Sequence, residues 1–383
     1  MIENKSTKIL NVTGMDIILS LLVPGLGHLA RGWWRKGFLF LASLAIQGGV
    51  LYLAVIRHRL AWLAGPSEYW FSTSVLFFLF LVIWVTAILD IHHTIHVSAK
   101  EGESCVEGYW EIVTRRFARD LKGLAGLGII LVVCYVALLA PFLARGDALN
   151  MDLANALAPS SSKHPLGLDN YGRDILDRTI FGARVALGIG MVATLLNMGL
   201  GGVLGLLAGF YRGFIDAVLM RFLEIISAIP FLVLILLLVS LWGSSIPMLI
   251  IVMGLFGLTP ARIIRSEVLS VREEGYVLYA RALGAPSRWI ILRHVLPNAF
   301  SSLLVVTTMS IGVNIITVAG LSFLGFGVKP PTPSWGAMLR DAQQYMRTAW
   351  WMAVYPGGCI AITVFAFNLL GDALRDVLDP RLR

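Results

Sequence analysis

Charge is what this chain has least of. Asp, Glu, Lys and Arg make up 14% of its 383 residues, against roughly 25% in soluble domains, while Ala, Val, Ile, Leu, Met, Phe, Trp, Tyr and Cys reach 57%. That balance argues against a water-soluble fold. Cysteine is nearly absent too: Cys134 and Cys359 lie in apolar runs and Cys105 in a polar stretch, so no disulfide framework is implied. No Gly-x4-Gly-Lys-Ser/Thr pattern occurs, so nothing in the chain binds ATP through a P-loop. Neither an HExxH motif nor a Ser/His/Asp or paired-carboxylate arrangement at suitable spacing supports a membrane enzyme. No typical cleavage site of small residues accompanies the first apolar segment, which therefore reads as retained. The net charge of +8 is not gathered into a basic patch interleaved with aromatics, which argues against a nucleic-acid partner.

What is present is apolar sequence gathered into runs. Stretches free of Asp, Glu, Lys and Arg cover 37–56, 69–89, 123–144, 185–211, 225–261, 299–328 and 348–371. A hydrocarbon core about 30 Å thick needs roughly 20 helical residues, so most runs hold one span and 225–261 holds two. Its break falls at Trp242-Gly243-Ser244-Ser245-Ile246-Pro247, where small, polar and helix-breaking residues make a turn. Eight spans result. Residues 17–30 contain Pro24-Gly25-Leu26-Gly27 and read equally as a re-entrant hairpin or a further span.

Lys and Arg set the orientation. Lys100, Arg115, Arg116, Arg119 and Lys122 precede the third run, six arginines lie between Arg262 and Leu296, and Arg375, Arg381 and Arg383 come after the last run. These sides are expected in the cytoplasm, with 145–184 and 329–347 outside. The chain divides accordingly: an accessory membrane unit (1–97), a cytoplasmic linker (98–122), a first core span with its outer loop (123–180), the main membrane domain (181–372) and a cytoplasmic tail (373–383). In the accessory unit, His92, His93 and His96 have a spacing that shares a helical face and could serve a zinc or nickel ion. The plainer reading is a solvated polar helix end, since no further ligand completes a site; a metal-dependent enzyme or sensor is the remote alternative.

The cytoplasmic segment 271–298 is the most informative. Tyr276 to Leu283 reads as a short helix with apolar Val277, Ala280 and Leu283, ended by Gly284 and Pro286. A helix of this kind has little of its own chain to bury against and suits docking into a partner's groove. The segment resembles the EAA loop of ATP-binding-cassette importer permeases, a Glu-Ala-Ala triplet followed at fixed spacing by Gly and Leu-Pro. Here the positions are Leu278, Tyr279, Ala280, Gly284, Leu296 and Pro297. Glu and the first Ala are replaced, so the salt bridge that the family's Glu makes to its ATPase does not transfer.

Two outer segments are similar to permeases for dipeptides, oligopeptides and nickel, and specifically to the second permease of such importers. These are His164-Pro165-Leu166-Gly167-Leu168-Asp169-Asn170-Tyr171-Gly172-Arg173-Asp174 and Leu321 to Gly336, which includes Pro330-Pro331-Thr332-Pro333-Ser334-Trp335. The resemblance implies an all-α membrane protein: a six-helix type I importer core preceded by a two- or three-helix N-terminal membrane segment. It implies a multi-pass subunit of the bacterial cytoplasmic membrane, paired with a homologous permease, two ATPase subunits and an extracytoplasmic substrate-binding protein. ATP and Mg would be bound on the ATPases, with no cofactor on this chain.

The same likeness assigns residues. Tyr279, Ala280, Arg281, Ala282, Leu283, Gly284, Ala285, Pro286, Leu296 and Pro297 would form the ATPase-coupling loop. Asp169, Arg173, Asp174 and Trp335 would face the binding protein, unless they merely shape the outer loops. Asn197, Asn314 and Asn368 are amides near span interiors, either on the translocation path or bonded between helices. Gly201, Gly205 and Gly209 recur every four residues and let two helices approach closely. Peptides are the expected cargo, with nickel, glutathione and other small solutes as alternatives.

Overall fold

The computed structural model describes Val113 and residues 116–378. The expectations for 1–97, including the hairpin at 17–30 and His92, His93 and His96, lie outside the described residues, as does Cys105. The chain divides into two compact units, 1–124 and 125–383, and the second holds nearly all of the described residues.

The described residues form helices and connecting loops: α1 (Leu121–Leu138), α2 (Ala140–Leu143), α3 (Ile175–Tyr211), α4 (Gly213–Ser227), α5 (Phe231–Trp242), α6 (Ile246–Phe256), α7 (Thr259–Arg272), α8 (Gly275–Ala282), α9 (Ser287–Ile290), α10 (Leu296–Phe323), α11 (Trp335–Ala342) and α12 (Trp351–Leu378). Five continuous helices are long and apolar enough to cross a membrane: Leu121–Leu138, Ile175–Tyr211, Ile246–Arg272, Ser287–Phe323 and Trp351–Leu378. The bent pair α4 and α5 supplies a sixth. This is the six-span core expected from the charge-free runs.

The charge-free runs understate several helices. α3 starts ten residues before the apolar run, because Asp174 caps it: its Oδ1 accepts from the N–H groups of Leu176 (2.8 Å) and Asp177 (3.3 Å). The third span begins at Gly213 instead of 225 and bends by 78° between α4 and α5. Pro230 stands at that bend, where it can start a helix but not continue one. The break expected near Trp242 is present, with Gly243 at φ +83 and the Ser245 hydroxyl accepting from the Met248 N–H at 3.3 Å. The fifth span passes through a π-helical turn, Ile291–Val295, just before Pro297. Widening the helix there accommodates a ring that would otherwise press on the carbonyl one turn earlier.

α3 is the centre of the unit and packs against α6, α7, α10 and α12. Its Gly201, Gly205 and Gly209 meet α7 backbone to backbone. A Cβ on Gly205 would lie 2.4 Å from the Ala261 carbonyl oxygen, and one on Gly209 would lie 2.8 Å from that of Arg265. The glycine repeat therefore serves packing within the chain. One apolar cluster joins Ile189, Ala193, Ile235, Leu249, Met253 and Leu321; another, towards the outer loops, joins Ile175, Ala183, Ile315, Trp335, Met352 and Phe367.

Candidate functional site

The expected coupling segment is a short helix, a tight turn and a second helix. α8 ends in a Schellman motif: the Ala285 N–H donates to the Ala280 carbonyl (3.1 Å) and the Gly284 N–H to that of Arg281 (3.0 Å). Gly284 sits at φ +81, the left-handed conformation this motif requires. Replacing Gly284 with Ala is expected to destabilise the turn by about 1–2 kcal/mol, measured as faster hydrogen exchange of the 284 and 285 amides.

The face of α8 is not the one the sequence suggested. Val277 is fully buried in its own chain, against a cluster that includes Val268, Val271, Ile290 and Val295, and Ala280 is partly packed there. Only Leu283 of the expected apolar trio remains exposed. The outward surface is formed instead by Tyr276, Leu278, Tyr279 and Leu283, continued by Trp289 and Leu292. Val277 can turn inward because α7, α9 and the π-turn form a floor beneath it, a tertiary contact invisible in a local pattern. Leu296 and Pro297 begin α10, so they connect this platform to the fifth span.

Arginines tie the platform to α3. Arg272 Nη1 donates to the Phe210 carbonyl at 2.6 Å, and the guanidinium carbons of Arg272 and Arg281 lie 5.9 and 5.6 Å from the Phe210 ring centroid. Arg212 pairs with Glu273 at 2.6 Å. Arg265 makes two bonds to the Asp216 carboxylate, 2.5 and 2.6 Å, and fastens α4 to α7. Tyr276 accepts at its hydroxyl from Asn298 Nδ2 at 3.2 Å. Burial, with the Glu274 charge adding to it, pushes the Tyr276 phenol above its ordinary range. The hydroxyl therefore stays neutral at physiological pH.

At the other end of α3, the residues expected to face a binding protein are mostly turned inward. Asp169, Arg173 and Trp335 are buried, 5%, 5% and 2% exposed. Asp169 organises its own loop: Oδ1 accepts from the N–H groups of Tyr171 (2.8 Å) and Arg173 (2.9 Å), and Oδ2 from Arg173 Nε (2.6 Å). Arg173 Nη2 reaches Asp341 on α11 at 3.4 Å, and Arg178 Nε lies 3.5 Å from Asp169. Trp335 Nε1 donates to the Thr179 carbonyl at 2.9 Å, its ring covering Gly182 of α3. Asp174 is half-buried and holds His164 Nδ1 at 2.7 Å besides capping α3. These positions shape the outer loops, which corrects the outward-facing expectation for Asp169, Arg173 and Trp335. The signal that could have found this was the alternation of acidic and basic residues at 169, 173, 174, 177 and 178.

Sequence reasoning missed Asp177, whose carboxylate accepts from the N–H groups of Arg145 (2.8 Å) and Gly146 (3.1 Å). Of the three amides, Asn314 Nδ2 donates to Thr194 Oγ1 at 2.8 Å, joining α10 to α3. Asn197 is buried beside Gly257 at the junction of α6 and α7, and its Oδ1 has no hydrogen-bond partner among the described residues. Asn368 is exposed on α12. Among the described residues no group of His, Cys, Asp or Glu is placed to hold a metal.

The described residues form a multi-pass helical membrane core with a structured helix-turn platform between its fourth and fifth spans. Comparison with known proteins makes this specific. Residues 201–383 match the binding-protein-dependent transport system inner membrane component family, and residues 108–159 match the N-terminal transmembrane domain of oligopeptide transport permease C. The chain is 40% identical over 276 residues to the glutathione transport system permease protein GsiD of Pectobacterium atrosepticum, covering 72% of this chain and 92% of that protein. It is 38% identical over 275 residues to the oligopeptide transport system permease protein OppC of Bacillus subtilis, covering 72% and 90%. The chain belongs to this family: it is a multi-pass, inner-membrane permease subunit of an ATP-binding-cassette importer, and a transport subunit rather than an enzyme. Residues before 108 lie outside both family matches.

Proposed function

We propose that this chain is one half of the transmembrane pathway of an importer for peptide-class solutes, di- and oligopeptides with glutathione included. The observation that carries the coupling half of this reading is the α8 platform, exposed at one end of the spans and held to α3 through Phe210. The cargo half rests on the relatives, one named for glutathione and one for oligopeptides.

In this reading a homologous permease completes the pathway, two separate ATPase subunits bind ATP and Mg, and an extracytoplasmic binding protein delivers cargo. ATP-driven closure of the ATPases moves residues 279–286, and the six-span unit rocks against its partner so that the path faces outward and inward in turn. Asn197, Asn314 and Asn368 are the candidate polar positions along it. Of these, Asn197 carries an unpaired buried oxygen and Asn368 an exposed amide, whereas Asn314 is already engaged.

Uptake of labelled dipeptide, oligopeptide and glutathione by the importer reconstituted in proteoliposomes tests the proposal. ATP-dependent accumulation of at least one is expected, and deletion of residues 280–285 should abolish it while the protein remains inserted. Undiminished uptake by the deletion variant would sink the coupling role.

A further inference from the structure

The coupling platform lacks the carboxylate that its family uses, and its exposed chemistry indicates what replaces it. At the two altered motif positions stand Leu278 and Tyr279, both exposed. Leu283 is 88% exposed, Tyr279 74% and Leu292 66%, and Trp289 lies open between them in sequence. Side chains this apolar, on a surface facing the aqueous side, are costly to leave uncovered. They are also supported from beneath. The buried Val277, Ile290 and Val295 fix the backbone, and Trp289 packs edge-on against His294 with ring centroids 4.8 Å apart. The pad is therefore shaped before anything docks.

Its rim is mainly basic. From Gly275 to Val295 the chain carries Arg281, Arg288 and Arg293, all exposed, and no Asp or Glu. Glu274 stands exposed at the α8 N-cap, on the Tyr276 side of the pad, and Glu273 is taken up by Arg212.

We infer that the ATPase partner of this permease receives the coupling loop in an apolar cleft bordered by acidic side chains, and that Tyr279 and Leu283 fill that cleft while Arg281, Arg288 and Arg293 select the acidic border. This rests on the reading of the chain as an importer permease and specifies the chemistry of its ATPase contact. Burial of two large side chains at the centre of an interface supplies the affinity, and the charged rim governs encounter and partner choice. A carboxylate at 278 has no place in such a contact, where it would be desolvated against an acidic border.

The test is binding of the cognate ATPase subunits to the full-length permease in nanodiscs, read alongside ATP-dependent uptake. The double variant Tyr279→Ala, Leu283→Ala is expected to weaken binding more than tenfold, with Tyr279→Phe close to wild type. Leu278→Glu with Tyr279→Ala, which restores the family triplet, is expected to weaken binding and uptake as well. Arg288→Glu with Arg293→Glu should slow association several-fold, and the slowing should diminish as salt is raised. All these side chains are exposed, and an unchanged melting temperature in each variant shows that the fold is retained. Wild-type binding by the Tyr279, Leu283 variant, or a gain from the restored triplet, would overturn the inference and leave the importer reading intact. Failure of the wild-type permease to bind any ATPase would instead strike the importer reading itself.

Discussion

Replacing Arg173 with alanine is expected to cost about 3–5 kcal/mol, the loss seen when one partner of a buried ion pair is removed and the other is left without compensation. The stranded group is Asp169, which is 5% exposed and accepts its shortest bond, 2.6 Å, from Arg173 Nε. Two backbone N–H groups still bond Asp169 Oδ1 in the variant, but Oδ2 keeps only Arg178, at 3.5 Å. The same change cuts the tie to Asp341, so the loop before α3 loses its charged link to α11. Faster proteolysis within residues 145–174, with the helices retained, is the expected pattern, and uptake should fall with it. Arg173→Lys should recover only part of the loss, because an ammonium cannot address Asp169 and Asp341 with a planar fork. Global unfolding with no preferential loop cleavage would count against a local role.

Gly205→Leu is expected to be damaging for a different reason. Its first added carbon would fall 2.4 Å from the Ala261 carbonyl oxygen and 3.0 Å from Ile264 Cβ, with no flexible side chain in the way to yield. Relief requires α7 to move off α3, opening a helix contact at the centre of the unit and shifting α8, which follows α7 in the chain. Overpacking typically costs about 1–3 kcal/mol, occasionally more, and a backbone-to-backbone clash belongs at the upper end. Gly199→Ala is the control, since a Cβ there meets nothing within 4 Å and the helix gains about 1 kcal/mol of propensity. Detergent-solubilised melting temperatures should fall sharply for the first variant and hold for the second.

The spans were legible because lipid imposes a length and a polarity that a sequence must meet. Run boundaries were less legible. Asp177 and Arg178 stand outside the apolar run on paper, yet both are buried residues at the start of α3: Asp177 is bonded by the N–H groups of Arg145 and Gly146, and Arg178 bonds the Ala148 carbonyl and pairs with Asp169. The start of the third span at Gly213 was hidden for a related reason: Asp216 looks like the end of a membrane segment until Arg265 is seen bonded to it. The segment around α8 could be singled out from Ala280, Gly284, Leu296 and Pro297, and Gly284 does close the helix as its position suggested. Which way the helix faces could not be read, because Val277 and Leu283 are equally apolar and only distant residues decide that one is covered. The same limit applies to Trp335, whose indole is absorbed by Gly182, more than 150 residues away in the chain.

α3 has a consequence of its own. Its 37 residues contain no proline and no break, so at about 1.5 Å per residue it runs some 55 Å as one rod. At one end Phe210 is gripped by Arg272 and Arg281; at the other, Asp177 and Arg178 are locked into the outer loops. α3 therefore joins the two loop regions as one continuous helix, with the Gly201, Gly205 and Gly209 contact on α7 nearer its Phe210 end. Under the proposed importer function, that continuity offers a direct mechanical link between the platform at one end and the loops at the other.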